Sequence, residues 1–141
     1  MSNSASNNQQ LPIEEVEEFL GMLQDILQSE NFNISRDLDI LLKKSSEAPD
    51  DPYTTQNTLL DLEFGKEDVR QQLLELNGTH YYETITDNKD STLPPFHAFI
   101  KEINHKNVYI KVKIRNFEKR KVFCVSFHYA RYPINSMPYS I

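Results

Sequence analysis

At 141 residues and 38% hydrophobic, the chain can form one small domain whose core needs no covalent or metal staple. A single cysteine, Cys124, excludes an internal disulfide and any multi-cysteine zinc site. Three glycines leave no phosphate-cradling loop and no dinucleotide fingerprint, and no long apolar run or charged-then-apolar leader is present, so a soluble cytoplasmic protein is expected. The net charge of −6 is unevenly spread. Residues 1–96 carry 6 Lys+Arg against 19 Asp+Glu, and residues 97–141 carry 9 against 2. An acidic body ending in a basic segment fits a local anion-binding surface, or a basic face that complements acidic helices.

Residues 1–10 are rich in Ser, Asn and Gln and read as disordered. A helix follows with Pro12 in its first turn and Glu14, Glu15, Glu17 and Glu18 at its positive end. Ile13, Val16, Phe19, Leu20, Leu23 and Leu27 recur at three- and four-residue steps, so one face docks on the domain. Phe32 and Ile34 alternate as a short edge strand would, and residues 38–44 suit a helical turn. Residues 45–53 (SSEAPDDPY) are a loop by composition. Thr54 or Thr55 caps a short helix carrying Leu59, Leu60 and Leu62, Gly65 breaks it, and residues 66–76 resume with Val69, Leu73, Leu74 and Leu76. This helical hairpin closes at Asn77-Gly78. Residues 81–86 and 96–103 are β-prone, with a polar loop between them, and the tail after His128 should lie over the sheet edge. The predicted architecture is α+β, with helices packed on one face of a small twisted antiparallel sheet over residues 11–141.

Residues 107–133 carry the strongest pattern. Val108, Ile110, Val112 and Ile114 alternate with Tyr109, Lys111, Lys113 and Arg115. The next run sets Phe123, Val125 and Phe127 on one parity and Val122, Cys124, Ser126 and His128 on the other. A turn at residues 116–119 puts Tyr109 opposite Ser126, Lys111 opposite Cys124, Lys113 opposite Val122 and Arg115 opposite Arg120. Cys124, in mid-strand, reads as a buried structural thiol. His80, His97, His105 and His128 show no metal-binding spacing, and no glycine-flanked serine suggests a nucleophile elbow. What remains is a face with Tyr109, Lys111, Lys113, Ser126 and His128, flanked by Arg115, Arg120 and Arg131. Lysines can neutralise phosphate oxygens, a histidine can move protons near neutrality, and a tyrosine can bond a phosphate or stack a base. RNA carries its own nucleophile in the 2′-OH, so such a face suits RNA cleavage as well as a plain solvated sheet.

The order helix, short strand, paired helices, then L-x-L-N-G-T-H-Y-Y-E, and finally K-E-I-x-x-K-x-V-Y-I-K and V-F-C-V-S-F-H-x-A-R-Y-P, resembles the MqsR family of toxins. The resemblance covers about residues 55–134. It implies a RelE-like fold and a sequence-selective mRNA endoribonuclease that uses no metal and no small-molecule cofactor. The implied partners are an mRNA substrate and a cognate antitoxin protein, with no membrane. The family tyrosine in V-Y-[IL]-K falls on Tyr109, followed by Lys111, and the family lysine in V-S-F-K is replaced by His128. The family lysine in D-F-Y-K falls on Glu83, behind Tyr82, with Lys101 as the substitute cation; the family glutamine has no counterpart. The implied catalytic set is His128, Tyr109, Lys111 and Lys101. The candidate RNA-binding set is Lys113, Arg115, Arg131, Tyr82 and Tyr129. Two other functions fit the same residues: a non-enzymatic RNA-binding or inhibitor module, and a structural partner whose acidic helices bind a basic protein.

Overall fold

The structure, a computed structural model, describes residues 8–87, 90, 92–116, 118–134 and 136–141. Helix α1 (Ile13–Gln28) follows Pro12, and α2 (Ile34–Asp37) leads into strand β2 (Leu38–Ile40). Helices α3 (Thr55–Leu62) and α4 (Lys66–Leu74) follow, then strands β3 (Tyr81–Ile85), β4 (Phe96–Ile103), β5 (Lys106–Asn116) and β6 (Lys121–Tyr129). Together with the two-residue β1 (Asn8–Gln9), these strands form one sheet in the order β1-β3-β4-β5-β6-β2. Its pairs are antiparallel except β2 with β6, which is parallel. The fold is α+β.

Helices α1, α3 and α4 cover one face. Val16, Phe19, Leu20, Leu23, Ile26 and Leu27 of α1 are buried there, at the spacing of one helical stripe. Arg70 donates to the Leu27 carbonyl from Nε (2.9 Å) and Nη2 (2.6 Å), placing a cation at the negative end of α1. Gln24 in turn donates to the carbonyls of Leu74 and Leu76 at the end of α4. On β6, beyond the reach of β2, the amides of Phe127 and Tyr129 donate to the hydroxyls of Thr55 and Thr58. Two threonines of α3 thus satisfy donors that an edge strand would leave open.

Several expectations need correction. Residues 38–40 are a strand, and Ile34 lies in the preceding helix. Asn33 explains the exchange, because its side chain accepts from the amides of Ser35 and Arg36 and starts a helix there. Asn8 and Gln9 pair with Ile85 and Thr84, so the expected disordered segment contributes a strand; residues 1–7 lie outside the described residues.

The β5–β6 register also differs from the expected one. Tyr109 faces His128, Lys111 faces Ser126, Val112 faces Cys124, Lys113 faces Phe123 and Ile114 faces Val122. Asn116 pairs with Lys121, and Arg120 turns the chain in the left-handed region at φ 54°. Val125 is an extra residue between the Lys111 and Val112 pairs, and Arg115 is another. A bulge reverses strand parity. Below Val125, Val122 and Cys124 face the helices; above it, Phe127 and Tyr129 do. Phe123, expected in the core, instead meets Phe96 on the outer face at 6.1 Å between ring centroids.

Candidate functional site

The sheet's outer face carries the residues that the sequence brings together. Tyr109 and His128 are directly paired across β5 and β6, with ring centroids 5.5 Å apart and planes 22° from parallel. Another bulge, between Tyr81 and Glu83, leaves Tyr82 as the extra residue of β3. Its ring meets Tyr109 edge-on at 6.4 Å. Beyond β6 the ladder runs one residue further, the Ala130 amide donating to the Asn107 carbonyl, and the chain bends at Arg131 and Tyr132. The segment that follows closes a groove of about 310 Å³ lined by Tyr82, Tyr109, His128, Arg131, Tyr132 and Ile134.

The electrostatics suit proton movement at His128. Burial lowers its pKa, and Lys44 and Arg131 push the same way, while its bond to Tyr129 and the charge of Glu47 oppose them. The imidazole is therefore neutral at pH 7. Its Nδ1 lies 2.9 Å from the Tyr129 carbonyl oxygen, which can only accept, so Nδ1 carries the hydrogen and Nε2 keeps its lone pair. Burial, followed by Glu83 and Tyr82, raises the Tyr109 pKa and keeps the phenol protonated as a hydrogen-bond donor. Lys111 sits two pairs along on the same face, its ammonium 5.1 Å from the Phe96 ring centroid. Burial and Lys44 lower its pKa, while Glu83 and Asp87 act against them.

Arg131 borders the groove but is clamped. Its Nη2 is 2.5 Å from an Asp51 carboxylate oxygen and 3.6 Å from one of Glu47. Its guanidinium lies 5.4 Å from the Tyr53 ring centroid. Lys44, Glu47, Asp51 and Tyr53 all come from the segment between β2 and α3, which reads in the sequence as a helical turn up to residue 44 and as a loop over residues 45–53. Its acids were visible; that they land beside His128 was not.

Four expected site residues serve elsewhere. Lys101 lies on the helix-covered face, where its ammonium binds Gln72 and, at 2.9 Å, Glu75 of the α4 end. Strand parity puts it there, since it pairs with the core residue Val108. Tyr129 also faces the helices, 9% exposed, and its hydroxyl donates to Asp61 at 2.5 Å. Lys113 is on the outer face but only 4% exposed, bound to Asp87 at 3.0 Å and lying over the Phe96 ring at 4.4 Å. Arg115 stacks over Phe123 and pairs with Asp39 at the far end of the sheet, away from the groove. Ser126 is buried beside Lys111.

Cys124 is fully buried, its thiol pushed up to about 12 by desolvation, as a structural thiol should be. Among the described residues, no group of three His, Cys, Asp or Glu side chains is arranged to hold a metal ion, and no helix is long and apolar enough to cross a membrane. No protein-family model, no curated protein and no solved structure matches this chain.

Proposed function

We propose that this protein is a sequence-selective mRNA endoribonuclease, the toxin of a type II toxin–antitoxin pair resembling the MqsR family, on a RelE-like form of the α+β fold. One observation carries the reading: His128, neutral and with its Nε2 lone pair available, stacks on Tyr109 in a groove bordered by Arg131. RNA supplies the nucleophile. His128 Nε2 takes the proton of a ribose 2′-OH, and the 2′ oxygen attacks the adjacent phosphorus. The bond from phosphorus to the 5′ oxygen breaks, and that oxygen takes a proton from the Lys111 ammonium. The ends are a 2′,3′-cyclic phosphate and a 5′-hydroxyl. Tyr109 donates a hydrogen bond to a nonbridging oxygen, and Arg131 balances the charge that builds there. No metal or cofactor takes part in this scheme. The protein acts in the cytoplasm and is restrained by a cognate antitoxin.

The test is purified protein with RNA in a chelator, with the new ends identified. Cyclic phosphate ends that vanish in His128→Ala support the proposal; intact RNA, together with normal growth on expression, removes it. A second reading, a non-enzymatic RNA-binding or protein-interaction module, draws on the cations engaged within the fold: Lys101 with Glu75, Lys113 with Asp87 and Arg131 with Asp51. It predicts salt-sensitive RNA binding without cleavage.

A further inference from the structure

We infer that the cleft on the far side of Tyr132 is a nucleobase subsite, holding a base of the RNA strand next to the nucleotide whose phosphate lies at His128. The inference rests on the RNA reading above. The cleft has a volume of about 680 Å³, within the range of ligand pockets, and its walls include Tyr53, Asn57, Lys106, Asn107, Tyr129 and Tyr132. It adjoins the His128 groove, sharing Ala130 and Tyr132 as wall residues.

The aromatic walls have the character that base stacking needs. Tyr132 is 77% exposed and Tyr53 37%, so both rings present apolar surface to solvent. Tyr129 forms an inner wall, fixed by its hydroxyl on Asp61 and lying under the Lys106 ammonium, which is 4.7 Å from the ring centroid. The outer wall is fixed as well: the Asn57 amide donates to the carbonyls of Pro49 and Asp51, both at 2.8 Å. Lys106 lines the cleft, and Arg131, a residue of the His128 groove, holds its guanidinium 5.4 Å from the Tyr53 ring centroid. Aromatic platforms between cations are what a single strand requires, rings for bases and charges for the phosphates between them. Asp50 and Asp61 also line the cleft. Their charge repels a phosphate and accepts hydrogen bonds from base N–H groups, so the base enters and the backbone stays at the rim.

The experiment uses the full chain and a fluorescein-labelled 2′-O-methyl RNA, which lacks the nucleophile and cannot be cleaved by this route. Affinity is read by anisotropy for the intact strand and for a series with one abasic nucleotide at each position in turn. Tyr132→Ala should weaken binding of the intact strand about five- to 150-fold, the range for one lost base stack, and Tyr132→Phe should not. The loss should disappear when the abasic nucleotide occupies one particular position. Tyr53→Ala should couple to the same position, and Lys106→Gln should lower the salt slope by about 0.7. Wild-type affinity in Tyr132→Ala, or the same loss at every abasic position, overturns the subsite. Cleavage of unmodified RNA is assayed in parallel. Coupling without cleavage upholds the subsite and removes the nuclease reading; cleavage without coupling does the reverse.

Discussion

His128 faces Tyr109 across β5 and β6 with the two rings nearly parallel, 5.5 Å apart. The contact holds the imidazole in one plane, and the Tyr129 carbonyl holds its tautomer. A base so positioned fixes the expected pH profile. Burial lowers the His128 pKa, so the neutral, proton-accepting form persists to lower pH than an ordinary histidine would allow. The acid limb of cleavage should therefore lie below pH 6.5, the usual histidine value. Glu47→Gln removes a charge that supports the imidazolium and should move that limb lower still, as read from single-turnover rates against pH.

Arg131 is held by Asp51 and Glu47, carboxylates standing where a phosphate would compete. Asp51→Asn should release the guanidinium. The expected outcome is tighter RNA binding and a steeper dependence of affinity on salt, checked by anisotropy titrations at several salt concentrations. Arg131→Ala should reverse both.

Lys113 and Lys101 should separate folding from function. Lys113 is buried against Asp87 and Phe96, so Lys113→Ala should cost roughly 2–4 kcal/mol of stability through the loss of an ion pair and of packing. Lys101→Met, on the helix face, should leave the cleavage rate of the folded protein unchanged. Urea unfolding and RNA cleavage on the same samples check both.

His97 supplies a pH dependence of stability. It is buried under Phe19, with ring centroids 4.1 Å apart, and bonded to Thr84, which also bonds Tyr81. Desolvation lowers its pKa to about 4 from 6.5. The unfolded chain then binds the proton more readily, so stability is full above pH 6.5 and falls as the pH drops towards 4. The loss is roughly 3 kcal/mol, an order-of-magnitude value from the size of the shift. His80 and His128, also lowered, add to the same slope. His97→Gln should flatten most of it in urea titrations across that window.

Much of this fold was legible in the sequence because periodicity reports burial directly. The α1 stripe from Val16 to Leu27, the break at Gly65 and the alternation of Val108 to Ile114 all appear as expected. The failures have local causes. One extra residue, Val125, reverses the parity of β6, so Cys124 turns inward and Phe123 outward, and a count of alternating positions cannot detect this. The pairing of Tyr109 with His128 likewise depended on a turn ending at Arg120 in a conformation unusual for a side-chain-bearing residue. The loop bearing Lys44, Glu47 and Asp51 reaches the groove through long-range contacts with Arg131 that composition does not encode. Lys101 was misassigned because the face of β4 follows from its pairing with β5.

The central claim, that His128 is the base of an RNA-cleaving site, meets its most direct test in one comparison. Wild-type protein and His128→Ala, matched in circular dichroism and melting temperature, are incubated with the same RNA in a chelator. The wild type should leave 2′,3′-cyclic phosphate ends, and the variant should lose about a hundredfold or more of that cleavage. Equal cleavage by both proteins, or intact RNA with the wild type, would contradict it.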